Sequence, residues 1–241
     1  LPRGHFWTLC WISFIAATLQ YGLTFSGLAL MAATPAVLLV QSEVIFGVII
    51  AALLLGERPS LRQMIGIVMA SCGVVVILGA PALDGQWLGI GLVLSGALVW
   101  AFGQVLIRRL DGALGGFQLT AWIGVMAGPQ MLLASCLIDG NPLPAIQAAP
   151  IEAWLTVIYL GVVMTAIGYS AWYYVLARYP VPMVMPVLLL LPVAAIFGAV
   201  TMLGEVPDPM VLAGGMVVIF GVGVVVVEPA YLLAWWRKKT G

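Results

Sequence analysis

Apolar residues in this chain recur neither at every third or fourth position, as on an amphipathic helix, nor at every second, as on a half-buried strand. They run together for about twenty residues at a time, and the polar residues gather between the runs. Eight such runs cover residues 6–30, 35–55, 64–79, 87–107, 117–138, 154–176, 183–203 and 210–227. Coiled as a helix, a run of that size crosses a hydrocarbon layer of ~30 Å. A lipid-spanning β-barrel is excluded, because its strands alternate apolar and polar residues over about ten positions. The connections are short and hold most of the charge, with loop formers at Pro142, Pro144, Pro180 and Pro207. The pattern predicts an all-α fold, a polytopic membrane bundle of eight transmembrane helices.

Composition agrees. Of 241 residues, 63% are apolar and 7% charged, with a mean hydropathy of +1.17; a soluble domain has roughly 45–50% and 25%. The lipid bilayer is therefore the first partner. The first run is too long, and too like the later ones, for a cleaved signal peptide. Cys10, Cys72 and Cys136 lie singly in separate runs, which suits packing and points to neither a disulfide framework nor a metal site. Gly89 and Gly91 lack the third glycine and the strand-to-helix setting of a dinucleotide loop, so no cofactor is indicated. The formal net charge is zero and the basic residues are dispersed along run ends, which argues against nucleic acid as a partner.

Basic residues in short loops stay on the cytoplasmic side. With Arg3 inside and one crossing per run, Arg58, Arg62, Arg108, Arg109, Arg178, Arg237, Lys238 and Lys239 also fall inside. Asp84, Asp139, Glu152, Glu205 and Asp208 fall outside. An even number of crossings leaves both termini in the cytoplasm, in a bacterial-type inner (plasma) membrane.

Leu55-Gly56-Glu57 with Pro59 is echoed by Leu203-Gly204-Glu205 with Pro207. The same offset joins Ala51 to Ala199, Gly66 to Gly214, Gly73 to Gly221 and Val74 to Val222. The offset is five runs. Five is odd, so the copies thread the membrane in opposite senses, and the second turn loses its arginines by facing outward. Residues 1–80 then form a remainder of the first inverted repeat, with three helices, and residues 81–241 the second, with five and a short cytoplasmic tail. The count predicts a ten-helix fold lacking its first two helices.

Several stretches resemble the EamA-type transporters of the drug/metabolite transporter superfamily, and most of all the branch of the O-acetylserine/cysteine exporter. They include Leu39-Val40-Gln41-Ser42-Glu43, Leu54-Leu55-Gly56-Glu57-Arg58, Trp100-Ala101-Phe102-Gly103-Gln104 before Arg108-Arg109, and Trp122 with Pro129. The longest is Thr165-Ala166-Ile167-Gly168-Tyr169-Ser170-Ala171-Trp172, continuing through Ala177-Arg178-Tyr179-Pro180 to Met185-Pro186 and Leu190-Leu191-Pro192. Glu43 stands where that branch has Gln, and Gln104 where it has Asn. The resemblance implies two inverted five-helix repeats and efflux of amino acids or related small metabolites.

Glu43 is the single ionisable residue inside any run, near mid-helix, where a charge costs roughly 2.5–3.5 kcal/mol on insertion scales. It reads either as a polar pocket group that also carries protons, or as a structural bond to a neighbouring helix. Gln41 lies roughly 200° around a continuous helix from Glu43, so at most one of the two faces the pocket squarely. Gln20 and Gln104 read as pocket ligands or as interhelical bonds. Tyr169 and Trp172, at helical spacing, form an aromatic wall, and Trp100 is deep enough to join it. Tyr173 reads as interfacial, near Arg178, and Trp235 and Trp236 as interfacial anchors. Pro186 and Pro192 interrupt the seventh run, Pro192 freeing the Leu188 carbonyl. They are hinge residues of a kink absent from the first copy, which has Val44 at the place of Pro192. Gly66, Gly73, Gly214 and Gly221, and the pair Gly124 and Gly128, serve close packing.

The resulting expectation is a secondary transporter with a central, mostly apolar pocket, open alternately to each side, moving a small-molecule metabolite. A membrane enzyme would need catalytic polar groups at one depth, whereas His5, the single His, lies at the cytoplasmic edge. A non-transporting scaffold or assembly subunit is the other alternative.

Overall fold

A computed structural model describes residues 6–31, 33–78, 85–110, 113–138, 140–203 and 208–227. Arg3, His5, Asp84, Asp139, Gly204, Glu205, Pro207 and the tail with Trp235, Trp236, Arg237, Lys238 and Lys239 lie outside the described residues. Every apolar run is helical. The elements are α1 (Phe6–Leu28), α2 (Ala33–Val40), α3 (Ser42–Leu54), α4 (Leu61–Leu78), α5 (Trp87–Arg108), α6 (Gly116–Ile138), α7 (Leu143–Ala148), α8 (Ile151–Leu176), α9 and α10 (Pro209–Val226). The ninth is composite: a turn at Val181–Val184, a 3-10 stretch at Met185–Leu190, and a helix at Leu191–Leu203. Helix satisfies backbone groups within the segment, which lipid cannot do. Six helices among the described residues are long and apolar enough to cross a membrane; α3 and α4 are shorter apolar helices. Large apolar side chains cover the outside, Leu53 and Leu137 at 78% exposure and Met202 at 85%. That surface is solvated by lipid, and the chain is an integral membrane protein.

Glycine sets how closely the helices approach. A Cβ at Gly66 would stand 2.6 Å from the Gly221 carbonyl oxygen, and one at Gly73 2.8 Å from that of Gly214. Partner numbers fall along α10 as they rise along α4, so the two helices cross antiparallel. Along α5, Gly96 admits Thr24 of α1 and Gly103 admits Ala16, so α1 lies flat on α5. Gly124 and Gly128 differ from the packing expectation: a Cβ added at either would meet nothing within 4 Å. They leave space.

The second and seventh runs are both broken. In the seventh, Pro186 and Pro192 remove two donors, and the chain tightens into the 3-10 stretch between them, where Leu191 N–H donates to Leu188 O. The carbonyl expected to be free is thereby satisfied. In the second run, Gln41 is a turn between α2 and α3 without any proline. The Ser42 hydroxyl donates to Leu39 O at 2.6 Å and Val44 N–H to Gln41 O at 3.2 Å, a local bond pattern that replaces the regular ladder. The kink is thus present in both copies. Single π-type stretches also recur, at Phe14–Leu19 in α1 and Leu160–Tyr169 in α8.

Candidate functional site

The C-terminal half of α8 brings Tyr169 and Tyr173 onto one face, four residues apart, with ring centroids separated by 5.6 Å. Across from them α1 presents Tyr21, whose hydroxyl lies 3.4 Å from that of Tyr169 and whose ring stacks on Phe25. Between α1, α6 and α8 these rings border a cavity of about 210 Å³, completed by Ala16, Ala17 and Ile123. Gly124 and Gly128 also line it, and their missing side chains account for part of the room. Tyr173 is buried at 4% exposure and turned inward; Tyr174 is the exposed ring that carries the Arg178 guanidinium, at 3.4 Å. Neighbours one residue apart point to different faces of a helix, and packing decided which of them went inward.

Trp172, beside these tyrosines, makes a separate contact. Its Nε1–H donates to Gln104 Oε1 at 2.8 Å, and its ring centroid lies 6.2 Å from that of Trp100. Trp100, Gln104 and Trp172 therefore form one cluster joining α5 to α8. Gln104 is fully buried, and its Nε2 has no hydrogen-bond partner among the described residues. On its other side Trp172 borders a wider groove of about 890 Å³, between α8 (Gly168, Val175), the turn that follows it (Tyr179) and α9 (Met183, Val187).

Gln20 lies at the end of the α1 π-type stretch and donates through Nε2 to Thr24 at 3.1 Å, while its Oε1 has no partner. Gln41 and Glu43 take no part in the aromatic contacts. Both are buried at the break between α2 and α3, Gln41 as the turn and Glu43 in the first turn of α3. The 200° separation presumed an unbroken helix, and the break removes it. Glu43 is one turn from Gly47, against which the Met185 thioether packs; a Cβ there would meet Met185 Cε at 2.6 Å. Glu43 therefore sits on the face of α3 turned toward the 3-10 stretch of α9. Among the described residues, His, Cys, Asp and Glu do not gather in any group able to hold a metal.

Sequence reasoning missed Tyr21. A signal existed: the offset that pairs Gly66 with Gly214 also pairs Tyr21 with Tyr169.

Comparison with known proteins matches residues 1–79 and 87–227 to the EamA-like transporter family. The chain belongs to that family. A protein of Salmonella typhimurium described as a probable amino-acid metabolite efflux pump is 30% identical, over 79% of this chain and 66% of its own length. A probable terminal-alkyne amino-acid exporter of Streptantibioticus cattleyicolor is 32% identical, over 77% of this chain and 61% of its own. The chain thus spans less than two thirds of either relative. A solved crystal structure, 22% identical, has the same fold with a TM-score of 0.77, covering 91% of this chain and 75% of that one.

Proposed function

We propose that this chain forms the greater part of a secondary transporter that exports amino acids or related small metabolites by alternating access, from a bacterial-type inner membrane with its basic end in the cytoplasm. The observation that carries the reading is the meeting of equivalent residues from two copies: Tyr21 and Tyr169 touch hydroxyl to hydroxyl beside a cavity. A pair of that kind is what a pseudo-two-fold axis in the membrane plane produces. The antiparallel crossing of α4 and α10, the equivalent π-type stretches and the equivalent breaks near Gln41 and Leu190 support the same axis. The exporter names of the two relatives favour amino-acid-like cargo.

In this reading residues 1–80 and 81–241 are opposed repeats, all eight runs cross, and the full fold has ten helices. α1 lies on α5, with Thr24 at Gly96 and Gly27 at Val93. Its equivalent α8 has Trp172 and Val175 at those places, and there they line the open groove. That groove is the seat for a helix equivalent to α5.

Trp100, Gln104, Tyr169 and Trp172 are the pocket wall, with Tyr21 added. Gln20, Gln41 and Glu43 offer polar groups at the helix breaks, and Pro186 and Pro192 border a hinge. Glu43 is also the proton carrier, since the other Asp, Glu, Lys, Arg and His residues lie outside the runs. The test is transport by the full-length gene product in proteoliposomes, over an amino-acid panel, with and without a pH gradient. Export of at least one amino acid is expected. An inert preparation would favour a scaffold, and conversion of solute into new products would favour an enzyme.

A further inference from the structure

Glu57 follows the turn at Gly56, whose φ of +71° suits glycine, and it reaches sideways across the end of the bundle. Its Oε1 accepts from Arg108 Nε at 3.1 Å and its Oε2 from the Val181 backbone N–H at 2.7 Å. Arg108 Nη1 in turn donates to Ala177 O at 2.7 Å. Ala177 closes α8 and Val181 opens α9, so a cation meets a helix C-terminus and an anion the next N-terminus. Each supplies what an unfinished helix end lacks. Arg109 adds a strap beside the pair, Nη2 donating to Leu54 O at 3.0 Å. The Glu57 and Arg108 side chains are 18% and 17% exposed, sheltered enough for the pair to outweigh an open-surface bridge.

Two properties make this more than a structural brace. The carboxylate comes from the loop between α3 and α4, whereas Ala177 and Val181 frame the joint between α8 and α9; separating these two parts breaks the Glu57–Val181 bond and forces Arg108, on α5, to give up either Glu57 or Ala177. Within these 241 residues the arrangement also has no chemical twin. Residues 79–86, 139–150 and 204–208, the connections at the opposite end, contain no Lys or Arg. The turn with Glu205 therefore has no guanidinium from those connections to hold it.

We propose that Glu57 and Arg108 form a one-sided clasp that keeps the basic end of the bundle shut, so that the resting protein opens toward the opposite face and releases the clasp once per cycle. The proposal rests on the opposed-repeat transporter reading above. Its test uses the full-length gene product with native cysteines replaced by Ala and one reporter, Ala101→Cys. Ala101 is fully buried on α5, about two turns in from Arg108. A membrane-impermeant maleimide is supplied at the basic end. Glu57→Gln and Arg108→Gln are each expected to raise the labelling rate about tenfold, and the double variant by less than the product of the two, because they share the Glu57–Arg108 pair while Val181 and Ala177 are held separately. Arg108→Lys, which keeps the charge but loses the fork that reaches Glu57 and Ala177 together, is expected to fall between the parent and Arg108→Gln. Unchanged rates in both single variants, or additive effects in the double, would overturn the clasp. Thermal midpoints of the same variants separate opening from unfolding: faster labelling only in proportion to a lowered midpoint also overturns it. Labelling of Ser60→Cys and Asp208→Cys from a common side would instead sink the opposed-repeat reading.

Discussion

α1 and α8, counterparts in the proposed pair of repeats, each contain a π-type stretch and together supply the facing hydroxyls of Tyr21 and Tyr169. Their surroundings differ sharply. In the most apolar part of α1, 39% of residues are buried, against 0% for α8. Thr24 and Gly27 of α1 are met by Gly96 and Val93 of α5, whereas their counterparts Trp172 and Val175 face an open groove. The backbone shape is thus common to both, while burial is imposed by neighbours. In lipid a helix with no partner is stable, because its backbone is already satisfied and its side chains lose nothing by facing hydrocarbon.

The comparison can be broken most forcefully at glycine. Gly103→Leu would drive a side chain into Ala16, whose Cβ and Cα lie 2.7 and 3.0 Å from the new Cβ. A loss near the upper end of overpacking, about 3 kcal/mol, is expected in detergent unfolding. Gly161→Leu in α8 meets open space and is expected to change stability by less than about 0.5 kcal/mol. Equal effects would abolish the contrast. Next in size is Trp172→Phe, which leaves Gln104 Oε1 without its donor in a fully buried position. About 1–3 kcal/mol of stability should disappear, read by the same unfolding assay.

Tyr21→Phe and Tyr169→Phe sharpen the comparison at the axis. Each removes one hydroxyl of a shared pair, so each should weaken apparent cargo affinity by about 0.5–1.5 kcal/mol, with the double variant little worse. An effect in one copy alone would show that the pair is not used symmetrically. The smallest structural change is Glu43→Gln, which keeps the shape and removes the proton. Stability should be nearly unaltered while the response of transport to an imposed pH gradient is lost; a retained response excludes Glu43 as the carrier.

Much of this was legible in the chain because lipid imposes a simple rule on composition. Every apolar run is helical, Gly66, Gly73, Gly214 and Gly221 lie at a close crossing, and Gly56 makes its turn. The contact of Gln104 with Trp172 and the inward turn of Tyr173 were not legible. They depend on the rotation of helices about their axes, which runs apolar on all sides leave unspecified. The break at Gln41 escaped notice for another reason: a serine hydroxyl competing for a backbone carbonyl leaves a much fainter signature than proline.

Apolar length and glycine spacing therefore determined by themselves that the chain is a membrane helix bundle with an internal echo. Only tertiary packing decided which polar groups meet, because in a solvent as apolar as the side chains themselves no hydrophobic stripe orients a helix, and rotation is settled by fit and by the few hydrogen bonds available.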